Sequence, residues 1–299
     1  MTIALLSSEP ATRAQWRPKE AWSAFWSEPG QSRCVAGAPG IWESLTAHWT
    51  TFSASLLSRG SRVLDLGCGA GAVGSLILAG RDDVQLTGID FARIPLMLNP
   101  NIELLSETAM EKLPFAERSF GAVVSQFGYE YGSRDATALE LARVLAPGAR
   151  LSFLVHHADS AIVASNRVRL SVLIGFLAPG MRAAFCSGDA ASFGAQIATL
   201  LERHGNDALL TELARSLPSR MSRAPRERIA IWAAIEDALA PERCLAESLN
   251  QACVDPADIG DWLAPLQQVF AIDEPGVLRE ADGTPVAWRI TGSRQQEPA

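Results

Sequence analysis

At 299 residues, with 48% hydrophobic and 20% charged residues, the chain can bury a sizeable core and lacks the composition of a disordered protein. Its formal net charge of −7 argues against a protein whose main business is gripping a phosphate backbone. The arginine-rich stretch at 215–228, five arginines against Glu227, reads as a solvated loop and helix start rather than a surface for an anionic partner.

The opening MTIALLSSEP lacks the basic start and long apolar core of a secretory signal. Residues 16–52 then hold five of the eight tryptophans, at 16, 22, 26, 42 and 49. Aromatic side chains at that density need a surface to bury against. GAPGIWESLTAHWTTFSASLL reads as a turn and a helix with Trp42, Leu45, Trp49 and Phe52 near one face, so residues 1–55 are expected to form a helical cap.

From residue 62 to about 156 short apolar runs alternate with turns and helix-compatible sequence. RVLDLG, QLTGIDF, IELLS, FGAVVSQF and ARLSFLVHH read as five strands of a parallel sheet covered on both faces, with helices between most of them. Residues 158–265 change rhythm: SNRVRLSVLIGFL, SFGAQIATLLERHG, ALLTELARSL, RERIAIWAAIEDAL and DIGDWLAPLQQ carry helical periodicity. The apolar stretch Leu170 to Pro179 within them is too short to cross a bilayer. QVFAIDEPGVLRE and TPVAWRITGSR then read as two strands joined at Ala281–Gly283 in an antiparallel hairpin. The sheet is thus expected to span 56–157 and 266–299, with 158–265 as a helical insertion. That insertion would roof a substrate cleft beyond the fifth strand or form a homodimer contact.

Five cysteines at 34, 68, 186, 244 and 253 are odd in number and lack metal-ligand spacing, which suits free thiols in a reducing cytoplasm. No metal site is expected. Gly67, Gly69 and Gly71 follow the first strand directly, can adopt dihedrals closed to other residues, and leave room for a ligand at the following helix start. With Ala72 they also satisfy the loose G-x-G-x-x-G/A template of nicotinamide-dependent oxidoreductases. Asp65, two residues before the first glycine, suits a ligand carrying an ammonium better than one carrying phosphates. Asp90 ends the second strand, where a carboxylate can accept from both hydroxyls of a ribose.

VLDLGCGAG at 63–71, GIDF at 88–91, MEKLPFAERSFGAVVSQF at 110–127 and LARVLAPGARLSFLV at 141–155 together resemble the successive motifs of class I S-adenosylmethionine-dependent methyltransferases of the small-molecule type. The resemblance covers roughly residues 40–156. It implies an α/β, Rossmann-like, mainly parallel sheet with a C-terminal antiparallel strand pair, a helical N-terminal cap and a large helical insertion after the fifth strand. It also implies S-adenosyl-L-methionine as cofactor. Asp65 and the backbone of Gly67, Cys68, Gly69 and Gly71 would surround its methionine part, Asp90 would sit on its ribose diol and Ala109 and Met110 beside its adenine, with Phe91 also at the cofactor, while the end of the fourth strand, Ser125 and Gln126 to Phe127, would flank the sulfonium and the methyl. Where the family often has an aspartate, this chain has Ala109, and Glu107, Glu111 or backbone groups would have to compensate.

Methyl transfer needs alignment, and loss of a proton where the nucleophile carries one. Candidates for proton removal stand at strand exits: Tyr129, Glu130 and Tyr131 after the fourth strand, His156 and His157 after the fifth. SQFGYEY lacks the N/D-P-P-Y/F segment of amino-methylating nucleic-acid enzymes, and the acidic balance favours a small organic acceptor. A nicotinamide oxidoreductase and a non-catalytic cofactor-binding scaffold are the alternatives.

Overall fold

Strands that are apolar on both faces need cover on both sides. The computed structural model describes residues 17–28, 39–55, 57–95, 98–205 and 207–295; Trp16, Cys34 and the opening decapeptide lie outside them. Its eight strands are β1 (Arg62–Leu66), β2 (Gln85–Ile89), β3 (Ile102–Leu105), β4 (Phe120–Gln126), β5 (Leu145–His156), β6 (Phe270–Ile272), β7 (Gly276–Arg279) and β8 (Pro285–Arg294). They form one sheet in the order β3-β2-β1-β4-β5-β8-β6, with β7 also paired to β8. β1 to β5 run parallel and β8 runs antiparallel to β5, β6 and β7. The chain leaves β1 towards β2 and later returns past it to β4. The C-terminal ends of β1 and β4 therefore diverge at a topological switch point, the place where open sheets bind ligands.

The helices are α1 (Pro18–Ser27), α2 (Pro39–Ser55), α3 (Ala72–Gly80), α4 (Arg134–Val144), α5 (Ala161–Phe176), α6 (Pro179–Ser187), α7 (Ala190–His204), α8 (Ala208–Ser216), α9 (Pro225–Ala252) and α10 (Ile259–Gln267). Because strand side chains alternate, β1 sends Val63 to one face and Leu64 and Leu66 to the other. Val63, Ala122, Val124 and Leu154 pack under α2 and α3, against Ile41, Leu45, Trp49, Phe52, Val73 and Ile77. Leu64, Leu66, Val123, Phe153 and Val155 pack under α4 and α10, against Leu141, Val144, Leu263 and Leu266.

Three sequence expectations change in detail. Among the described residues only two of the four links from β1 to β5 carry helices, α3 and α4; the β2–β3 link contains Pro95 and Pro100, and the β3–β4 link Pro114, each lacking a helix-propagating N–H. The hairpin is present as β7–β8, but QVFAIDEPGVLRE divides at Asp273–Pro275 into β6 and β7, which pair with different stretches of β8. α6 is a further helix outside the periodic runs, burying Met181, Ala184 and Phe185 on one face.

The described residues divide into two compact units, 22–164 with 251–295, and 165–250 with 17–21. In the helical unit Phe176, Phe185 and Trp232 form the aromatic centre of a core with Leu173, Leu200, Leu210 and Leu213. Asp189 and Asp207 cap α7 and α8 by accepting from Ser192 N and Leu210 N. Arg228 is buried, and its guanidinium donates to the carbonyls of Cys186, Ser187, Met221 and Arg223. Two of these close α6, where the helix dipole favours a cation.

Two predictions follow from this packing. Arg228→Met leaves those carbonyls unpaired and lowers unfolding free energy by about 2–3 kcal/mol in urea titration. His48 on α2 shares a hydrogen bond with Ser152 Oγ at 3.0 Å, and burial, then the Arg289 charge, lowers its pKa from 6.5 to about 4. The fold favours neutral imidazole, so its contribution is complete above pH 6.5 and is lost as pH falls from there towards about 4. His48→Gln should remove up to about 1.4 kcal/mol per pH unit of acid destabilisation over that window. Asp65 and Asp90, whose pKa values are raised, act with the opposite sign but equally in both proteins.

Candidate functional site

β1 opens into the glycine turn at the switch point. Gly67, Gly69 and Gly71 have φ of 64°, 51° and 83°, the left-handed region that glycine enters without penalty. Gly67 also needs its missing side chain, because a Cβ there would stand 2.9 Å from Gly128 Cα. A Cβ on Gly128 would in turn stand 2.6 Å from the Leu66 carbonyl oxygen. The loops after β1 and β4 therefore touch backbone to backbone. Ser125 Oγ fastens them, donating to Leu66 O at 2.9 Å and accepting from Tyr129 N at 3.0 Å.

The loop's own amides are largely spent. Cys68 N donates to Ile89 O, Gly69 N to Asp90 Oδ2 at 2.9 Å, and Gly71 N to Cys68 O. A pyrophosphate needs such amides, and it would also face the Asp65 and Asp90 carboxylates. The loose dinucleotide template is thus met in sequence, but the Cys68, Gly69 and Gly71 amides of the turn are already engaged.

Asp65 is 1% exposed, and neither carboxylate oxygen has a hydrogen-bond partner among the described residues. Burial first, then the charge of Asp90, raises its pKa well above the usual carboxylate range. An unpaired buried carboxylate is costly, and a cationic donor relieves that cost. Asp90 is held differently, with Oδ2 on Gly69 N and Oδ1 on Ala92 N at 2.8 Å. Burial raises its pKa while those two amides pull it down. Each oxygen keeps a lone pair for a further donor. Beside it Phe91 is 51% exposed, and Thr108 N donates to the Asp90 carbonyl. This brings Ala109 and the buried Met110 next to the end of β2. Glu111 Oε1 is engaged by Ser133 N at 2.7 Å, so one oxygen of that candidate substitute for the missing aspartate is committed.

The strand-exit residues separate. Tyr129 is fully buried, stacks on Phe153, and donates its hydroxyl to Arg134 O; burial raises its pKa, and it serves the core under α4 and α10. Alternation sends His156 and His157 to opposite faces. His157 stacks on Trp288, accepts from Asp159 N at 3.1 Å, and has its pKa lowered chiefly by burial. His156 lies on the Asp65 face, stacked on Phe127, with Nδ1 2.7 Å from Glu130 Oε1. Gln126 Oε1 accepts from Trp49 Nε1 at 2.7 Å, which ties it to α2.

The tryptophan-rich segment enters the site, which its sequence signalled only as aromatic density. A Cβ on Gly69 would stand 2.4 Å from the Trp26 ring, and Trp22 meets Tyr131 edge-on at 5.8 Å. Ser23 Oγ accepts from Arg93 N at 3.0 Å, close after Asp90. Among the described residues no group of side chains has the makings of a metal site, and Cys68, Cys186, Cys244 and Cys253 form no disulfide.

Residues 63–148 match a family model described as a methyltransferase domain. The O-methyltransferase rstn1 of Aspergillus nomiae is 31% identical over 139 residues, 43% of this chain and 59% of that protein, so the match spans less than two thirds of the relative. Similar solved structures include the 1,6-didemethyltoxoflavin-N1-methyltransferase of Burkholderia thailandensis, 14% identical over 96% of this chain and 94% of that one, with a TM-score of 0.46. Another is a putative S-adenosylmethionine-dependent methyltransferase of Methanococcus maripaludis, 10% identical over 98% and 100% of the two chains, with a TM-score of 0.46. The matched domain holds Asp65, the glycine turn, Asp90, Met110 and the end of β4. Residues 63–148 are thus similar to a methyltransferase domain.

Proposed function

We propose that the protein transfers a methyl group from S-adenosyl-L-methionine to a small organic acceptor. The observation that carries this reading is Asp65, a buried carboxylate with no hydrogen-bond partner among the described residues, beside a glycine turn in which the Cys68, Gly69 and Gly71 amides are already engaged. Such a site fits an amino acid's ammonium and does not fit a pyrophosphate. When bound, the cofactor supplies an electrophilic methyl on a sulfonium, and the chain's residues hold, orient and dehydrate.

Asp65 would bind the ammonium, with Gly67, Cys68, Gly69 and Gly71 admitting the ligand to the backbone. Asp90 would accept from the ribose, with Phe91, Ala109 and Met110 on the adenine side. Ser125 and Gln126 would act at one remove: Ser125 holds the two loops together, and Gln126 anchors α2 at the end of β4. The curated relative is by name an O-methyltransferase, which favours oxygen as the atom methylated. The helical unit, whose chain departs just beyond the end of β5, is our candidate for the determinant of acceptor choice. Free thiols suit a reducing cytoplasm.

Calorimetric titration with S-adenosylhomocysteine and with NAD tests the reading. Asp65→Asn should weaken S-adenosylhomocysteine roughly ten- to a hundredfold, the value of a charge-assisted bond, yet leave the ligand-free protein at least as stable, because the uncompensated charge is gone. Asp90→Ala should weaken the same ligand by a similar factor of roughly ten or more and also lower stability, because Gly69 N and Ala92 N lose their acceptor. Undiminished affinity in Asp65→Asn, or binding of NAD in place of S-adenosylhomocysteine, contradicts the proposal.

A further inference from the structure

Glu130 closes the short turn after β4, and its carboxylate is buried. One oxygen, Oε1, receives two donors from a single residue: the His156 backbone N–H at 3.0 Å and the His156 ring Nδ1 at 2.7 Å. The other oxygen, Oε2, is buried without a partner among the described residues. The ring itself is clamped. Phe127 stacks on it with centroids 4.2 Å apart, and Tyr131 meets it edge-on at 6.1 Å. Phe127 holds φ of 57°, a left-handed conformation that a bulky residue rarely adopts, and its N–H is tied to Leu154 O at 2.8 Å. Strain of this kind persists where the surroundings enforce it, and it clusters at functional sites.

A buried carboxylate on Nδ1 fixes the tautomer: Nδ1 carries the hydrogen and Nε2 presents its lone pair. Nε2 has no hydrogen-bond partner among the described residues. A structural tie alone would not require burying a carboxylate, since a backbone carbonyl can hold Nδ1–H at a smaller desolvation cost. His156 ends β5 on the same face of the sheet as Asp65, beside the switch point.

We propose that Glu130 is the positioning residue for His156, and that His156 Nε2 takes the proton of a hydroxyl on the acceptor. The O–H electron pair stays on oxygen, which becomes the nucleophile; the proton moves to Nε2; and Glu130 balances the imidazolium that forms. This rests on the methyltransferase reading and narrows its acceptor to a hydroxyl compound. An acceptor already ionised, such as a carboxylate, would meet a site with a base it does not need.

Nitrogen-15 NMR of the histidine ring tests this on the full chain, with S-adenosylhomocysteine present and catechol as the hydroxyl probe. The wild type is expected to show His156 as the Nδ1–H tautomer, with an Nε2 resonance that shifts on adding catechol and ignores its dimethyl ether. Glu130 and Tyr131 both contact the ring in this structure. Glu130→Gln keeps an acceptor but loses the charge, so the Nδ1–H proton resonance should move upfield as the charge-assisted bond is lost, with S-adenosylhomocysteine affinity unchanged. Glu130→Asp should recover part of that shift. An Nε2–H tautomer in the wild type, or an unchanged Nδ1–H resonance in Glu130→Gln, overturns the positioning role, and the first readout needs no variant to fold. An Nε2 resonance indifferent to catechol overturns the hydroxyl assignment. Failure of the wild type to bind S-adenosylhomocysteine would instead defeat the reading beneath it.

Discussion

The site depends on backbone meeting backbone where β1 and β4 end. Gly67 and Gly128 approach so closely that neither position has room for a side chain, and Ser125 bonds across the gap. This contact brings the glycine turn, the start of α3 and the turn carrying Glu130 to one place. Parallel strands alone would leave those loops free to separate. With the contact made, Asp65 is buried at the base of the crevice and cannot turn to water. The fold carries an uncompensated carboxylate in the ligand-free state, a local cost typical of binding sites.

The sheet's alternation assigns roles to its residues. Val63 and Asp65 share a face, as do Val124 and Gln126, and Leu154 and His156. That face is covered by α2 and α3, whose Trp49, Phe52 and Ile77 supply the apolar ground on which the polar ends of the strands stand. The opposite face takes Tyr129, His157 and Trp288 into the core with α4 and α10. Residues one position apart in sequence, His156 and His157, therefore serve a candidate site and a core.

The parts of this arrangement that rest on local backbone chemistry could be read from the sequence. Gly67, Gly69 and Gly71 announce their left-handed turn, Asp90 ends a recognisable strand, and the five parallel strands follow from short apolar runs. What could not be read was non-local. Nothing near Glu130 in sequence points to His156, 26 residues away, as its partner; only the β4–β5 register brings them together. The direction of Tyr129 is set by the tight turn that follows β4, and the strand pattern stops short of it. Helices are expected between most of the parallel strands, and the prolines of the β2–β3 and β3–β4 links are the local signal against a helix there. Tryptophan density in the N-terminal segment signalled burial but not that Trp26 would lie against Gly69.

The position of the ligand's amino nitrogen in a crystal structure with S-adenosylhomocysteine bears most directly on the central claim that the unpartnered Asp65 carboxylate awaits a cationic donor. The account places that nitrogen within hydrogen-bonding distance of Asp65, with the ribose hydroxyls on Asp90. An amine directed elsewhere, with both Asp65 oxygens still unpaired, would contradict it.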